Sequence, residues 1–168
     1  MKQNKRNYSN IAKLFHWGFV IIFIYGVLKQ VQDISQLENS NFFRFEIIFA
    51  IIFLLLLVIR LIYMKTTQKS SIPEDAPKVQ KIASKIVHNG MYILLAGTVL
   101  SGLLIGVLFW LGAKNTFLIG IFITMHEIII NLLYCFIIIH IIAAIYHRLK
   151  KDGVWSSMVP FFKEKNNN

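Results

Sequence analysis

The chain has 168 residues, a mean hydropathy of +0.60 and a formal net charge of +10, with 18 Lys and Arg against 8 Asp and Glu. Its 56% of hydrophobic residues gather into four long apolar stretches, which excludes an ordinary soluble domain and leaves room for one membrane bundle over residues 1–168. Most of the basic residues sit in the segments between and outside those stretches, a membrane-topology pattern and not a nucleic-acid-binding surface.

The expected spans are 11–32, 43–64, 84–111 and 117–149. Residues 1–10 are polar and basic, with Lys2, Lys5 and Arg6, and Ser9 or Asn10 can cap the first helix. A basic start followed by an apolar run resembles a signal peptide, but there is no A-x-A-like site, so the run reads as an uncleaved first helix. It carries His16 and Trp17 near its start; Trp17 suits an interfacial aromatic belt. Residues 33–41 form a short polar loop.

The second span is Ile, Leu and Phe on every side, so it presents surface to lipid. Glu46 and Arg60 interrupt it near its two ends. Arg60 is expected to snorkel to the headgroups. Glu46 reads as interfacial, protonated, or paired with Arg44 or a group of the fourth helix. Residues 65–82 hold Pro73, Pro77 and several lysines, a hydrated loop. The third span opens with His88 and Tyr92 and continues through Gly97, Ser101, Gly102 and Gly106, small residues that allow close approach of a helix or of a flat macrocycle. Cys135, the one cysteine, lies mid-helix in the fourth span as an expected packing residue; with no C-x-x-C-H in the chain, covalent haem is excluded.

Basic residues are concentrated before the first span, between the second and third, and after the fourth. Both termini of this multi-pass membrane protein are therefore expected in the cytoplasm.

Three histidines mark the fourth span, at 126, 140 and 147. Histidine inside a membrane points to function. His126 and His140 are fourteen residues apart, which on a helix is about 40° short of four turns and ~21 Å along the axis. They project from nearly one face, one toward each edge of the bilayer. Depth pairs His16 with His140 on separate helices, the arrangement that bis-histidine ligation of a b-type haem requires. His126 has no histidine at its own depth, so a second haem lacks an evident partner ligand. His88 and His147 fall at the inner boundary, with Tyr92 one turn from His88. They read either as hydrated interfacial residues or as a proton-linked quinone site.

Tyr8-Ser9, His16-Trp17, Arg60-Leu61, His88 with Tyr92, Gly102, His126-Glu127, His140, Ala143-Ala144, His147, Asp152, Met158 and Pro160 follow in order along nearly the whole chain. In these residues the sequence resembles the bacterial cytochrome b561 family, whose relatives include superoxide oxidase and the b-type subunits of nickel-iron hydrogenases. The resemblance implies an all-α four-helix bundle of a bacterial inner membrane, with two b haems, that exchanges electrons with ubiquinone. It assigns His16 and His140 to the inner haem, His126 to the outer haem, and His88 and His147 to the quinone end. The position expected to give the outer haem its second ligand holds Glu46, a poor ligand for low-spin iron. Ser157 stands where an Arg is expected. Lys29, Arg44 and Lys114 against Asp33 and Glu38 give the outer face little positive field to draw an anion. The functions implied are oxidation of superoxide with reduction of ubiquinone, or a cytochrome subunit relaying electrons between a dehydrogenase or hydrogenase and the quinone pool. A haem-free scaffold is a third reading.

Overall fold

A computed structural model describes residues 7–31, 33–114 and 116–164. Lys2, Lys5, Arg6, Lys165 and the expected helix end at Gln32 lie outside the described residues. The described chain forms α1 (Asn10–Lys29), a 3₁₀ turn (Ile34–Glu38), α2 (Ser40–Thr67), α3 (Lys78–Trp110), α4 (Phe117–Lys150) and α5 (Val154–Met158). α1 to α4 are the four expected spans, each long and apolar enough to cross a membrane. The short 3₁₀ turn and α5 arise in segments read as loop and tail.

The helix starts follow local hydrogen-bonding chemistry. Ser9 caps α1 by accepting the Ala12 amide at 3.1 Å. Asn39 takes the Asn41 and Phe42 amides at the start of α2, and Thr116 takes Ile119 at the start of α4. α4 ends where Lys151 adopts a left-handed conformation, φ 56°, followed by Gly153 at φ 86°. The 33 and 34 residues of α3 and α4 give lengths of roughly 50 Å, well beyond a hydrocarbon core of ~30 Å. Each therefore extends into water with its charged end: Lys78, Lys81 and Lys85 on α3, Arg148 and Lys150 on α4.

Neighbouring helices run antiparallel, α1 on α2, α2 on α3, and α3 on α4, the last pair packing most extensively. Small residues set the seams. A Cβ on Gly106 would meet Ile47 of α2 at 2.6 Å, and one on Gly90 would meet the Phe136 ring of α4 at 2.2 Å. The central core joins Phe19, Phe53, Leu57, Leu95, Val99 and Leu133, drawn from all four helices. A second core at the far end joins Leu37, Phe109 and Ile119. Outward faces stay apolar and exposed, as lipid requires: Phe117 is 87% exposed and Ile93 70%. Cys135 is exposed on such a face, so it does not pack the interior as the sequence suggested.

Both ends of the described chain meet at one end of the bundle. The Ser9 amide donates to Gln68 at 3.1 Å, and its hydroxyl bonds the Tyr63 hydroxyl at 2.9 Å. The Trp17 indole donates to the Met158 carbonyl at 3.3 Å, and its ring lies 5.1 Å from Phe161. Trp17 therefore docks the C-terminal segment onto α1. α1 and α4 complete the circuit without packing closely on each other. That gap holds the site.

Candidate haem site

The gap between α1 and α4 is bridged by imidazoles. The His16 and His140 rings lie 6.4 Å apart, centroid to centroid, at an interplanar angle of 60°. The helix starts place them at one depth: His16 is two turns into α1, and His140 is as far from the opposite end of α4 as the antiparallel arrangement demands.

Two further groups join this pair. His88 of α3 lies edge-on to His140 at 5.0 Å. Its Nδ1–H donates to the Ser84 carbonyl at 2.7 Å, which leaves Nε2 free. Arg60 does not snorkel. Its guanidinium turns into the bundle, donating from Nη2 to His16 Nδ1 at 2.9 Å and lying over the Phe19 and Tyr92 rings at 5.2 and 5.5 Å. Its Nε is buried with no partner. Snorkelling was expected because Arg60 lies near a helix end; the aromatic faces and the His16 acceptor draw the side chain inward instead.

His147 stands apart from His88. It is buried, with Nδ1 2.7 Å from Asp152 Oδ2 and Nε2 3.3 Å from the Gln80 amide of α3. Asp152 also accepts the Val154 amide, so this histidine ties the exit of α4 to α5. Of the three residues grouped in sequence as a quinone end, His88 and Tyr92 face the His16/His140/Arg60 cluster, while His147 faces the C-terminal segment. Ser157, at the position expected to be Arg, is 1% exposed and donates its hydroxyl to the Val154 carbonyl, closing α5.

Fourteen residues earlier on α4, His126 faces α3. The Ser101 hydroxyl has the Gly97 carbonyl at 2.7 Å as its acceptor, so it accepts from His126 Nδ1–H at 2.8 Å. This fixes the tautomer and leaves His126 Nε2 as the available ligand atom. Gly102 makes the contact possible: a Cβ there would sit 3.3 Å from His126 Cε1. Ser101, 2% exposed, is a site residue that sequence reasoning counted only as a small packing residue. Its one legible signal was its position beside Gly102, a helical turn from Gly97. Glu46 is partly exposed and makes no hydrogen bond or ion pair among the described residues, so of its alternative readings the pairing with Arg44 is not found there. Glu127 is exposed, likewise with no hydrogen bond among the described residues.

The inner residues fit a bis-histidine haem. An iron between two imidazole nitrogens, each at ~2 Å, sets the ring centroids roughly 6 Å apart, close to the separation found. α1 and α4 do not pack closely on each other, and Arg60 Nε, buried with no hydrogen-bond partner among the described residues, offers a donor to an acidic substituent. At the other end of the bundle His126 supplies one histidine nitrogen, and among the described residues Glu46 makes no hydrogen bond or ion pair with it.

The family model described as prokaryotic cytochrome b561 matches residues 7–161, which takes in every helix and every residue of both sites. No curated protein and no solved structure matches the chain. Covering nearly all of a four-helix bundle whose facing histidines suit iron ligation, that match makes the chain a member of the prokaryotic cytochrome b561 family, membrane proteins that transfer electrons on b-type haem.

Proposed function

We propose that the chain carries electrons between a donor at its outer face and ubiquinone at its inner face, through a b haem held by His16 and His140. The observation that carries this reading is the facing of these two rings across the open α1/α4 side. The haem supplies reversible one-electron chemistry when bound. The protein's part is to hold it on two neutral imidazoles and to bury it among Phe19, Leu57 and Leu133. The helices also fix the depth at which electrons are stored.

His88, with Nδ1 anchored on Ser84, presents its other nitrogen beside His140 and is the nearest titratable group for passing a proton to a reduced quinone. Tyr92, held by the Arg60 guanidinium, adds a hydroxyl on the same side. His147, the third residue assigned to the quinone end, contributes there by holding the α4 exit, its ring nitrogens engaged by Asp152 and Gln80. At the outer end, His126 on Ser101 offers a ligand for a second haem, with Glu46 as its weak partner. The lysine-rich α2–α3 loop and both termini lie in the cytoplasm, so the His126 end faces outward.

Substituting His140→Ala is expected to remove most haem absorbance from the purified protein; an unchanged spectrum overturns the assignment. Superoxide is the donor in one form of this reading. A second form, in which the chain relays electrons for a partner dehydrogenase or hydrogenase, is favoured by the Lys114–Glu38 ion pair at 3.2 Å. That pair cancels one of the few positive charges on the outer face. Co-purification of a redox partner separates the two.

A further inference from the structure

Arg60 is a permanent cation turned into a membrane bundle, with no anion to meet it among the described residues. A guanidinium stays charged at any accessible pH. Charges inside a membrane protein are ordinarily paired, because an unpaired one bears the full cost of leaving water. The chain has eight Asp and Glu residues, and none pairs with Arg60. The carboxylates of Glu38, Asp152 and Glu164 are engaged elsewhere, with Lys114, His147 and Ser156. Arg60 instead has one neutral acceptor, His16 Nδ1, and two aromatic faces, while its Nε is buried without a partner.

The contact with His16 is incompatible with a loaded site. Arginine only donates, so the nitrogen it meets at 2.9 Å is an acceptor, and the proton of a neutral His16 is on Nε2. A neutral imidazole that gives Nε2 to iron must carry its proton on Nδ1, where it no longer accepts from Arg60. Loading the site therefore leaves the guanidinium with no protein acceptor for Nη2 as well as none for Nε. Two adjacent N–H donors released together match the two oxygens of a carboxylate.

We propose that Arg60 is the counter-ion of a haem propionate, and that the guanidinium exchanges His16 for this carboxylate when the haem enters. The proposal rests on the reading of His16 and His140 as the axial pair. It makes Arg60 a determinant of which macrocycle the bundle accepts: one with a free acid beside His16, not a neutral ester.

The test is reconstitution of the full-length, haem-depleted protein in detergent with protohaem or with its dimethyl ester, followed by release of each to excess apomyoglobin. Wild type is expected to release the ester at least ~10-fold faster than the acid, the loss that accompanies removal of one partner from a buried charged pair. Arg60→Met is expected to release the two at nearly equal rates. Arg60→Lys, which keeps the charge but not the fork, should recover part of the difference. Equal release of acid and ester from wild type overturns the proposal, as does full discrimination surviving in Arg60→Met. A lipid phosphate acting as the true partner of Arg60 gives the first of these results. Failure of the underlying site is distinguishable, because His140→Ala would then keep its haem spectrum with either macrocycle.

Discussion

His126 meets α3 through the Ser101 hydroxyl. Ser101 accepts from Nδ1 at 2.8 Å and passes its own proton to the backbone of α3, so Nε2 is the nitrogen left for a ligand. Replacing Ser101 by Ala leaves the Nδ1–H without its partner at a helix seam. The double-mutant cycle of Ser101→Ala with His126→Ala should give a coupling of ~1 kcal/mol, within the range for side-chain hydrogen bonds between membrane helices. Denaturant unfolding in detergent measures it, and additive effects would show that the bond does not hold the ring. The histidines were legible in the sequence because imidazole is rare in apolar helices. Ser101 was not, since serine among glycines signals close packing equally well. Arg60 was misjudged for a related reason: sequence gives its depth but not the direction of a long side chain, and only the placement of Phe19, Tyr92 and His16 shows that it points inward.

The pairing of α3 with α4 is the element on which both sites depend. α3 supplies His88 to the inner cluster and Ser101 to the outer one, and α4 supplies His140 and His126. Gly90 keeps the inner half of this seam closed, because a Cβ there would sit 2.2 Å from Cε1 of Phe136. Phe136 lies one turn before His140 on α4, so forcing the seam apart displaces the ring that must face His16. Gly90→Ala is expected to destabilise the protein by ~1–3 kcal/mol, the usual cost of overpacking, and to weaken haem retention. Phe136→Leu in the same chain should recover most of both. Thermal unfolding of the three variants checks this, and a Gly90→Ala protein as stable as wild type would show that the seam can yield. The spans themselves were readable from hydropathy to within a few residues at most ends. The start of α3 was set too late, since Lys78 and Lys81 read as loop where the helix continues into water. The 3₁₀ turn and α5 were missed because they are too short for periodicity and rest on side-chain bonds, Asp33 to Ser35 in one and Asp152 to Val154 in the other.

Across the whole molecule the two ends are unequal. The inner end gathers three histidines, an arginine and a tyrosine drawn from all four long helices. The outer end offers His126 alone, with a carboxylate on α2 and an ion pair between Lys114 and Glu38. This asymmetry was visible in the sequence from the depth of each histidine, and the fold adds that α1 and α4 meet there through the His16 and His140 rings without packing closely on each other. Two strong nitrogen ligands hold a haem far better than one nitrogen and a carboxylate, which is hard and anionic where low-spin iron favours imidazole. Protein purified in detergent is therefore expected to carry close to one haem per chain, as a pyridine haemochromogen spectrum measured against protein concentration would give. Substituting Glu46→His supplies the missing nitrogen on α2 and should raise the ratio toward two, with His126→Ala bringing the doubly substituted chain back to one. A wild-type ratio near two would mean that Glu46 or another group completes the outer site, and electrons could then cross the bundle in two steps. A ratio near one leaves the His16/His140 haem as the single store, fed from the outer face across the ~21 Å of α4 that separates His126 from His140. A donor or partner reaching the inner half of the bundle then becomes the better account of how the chain is reduced.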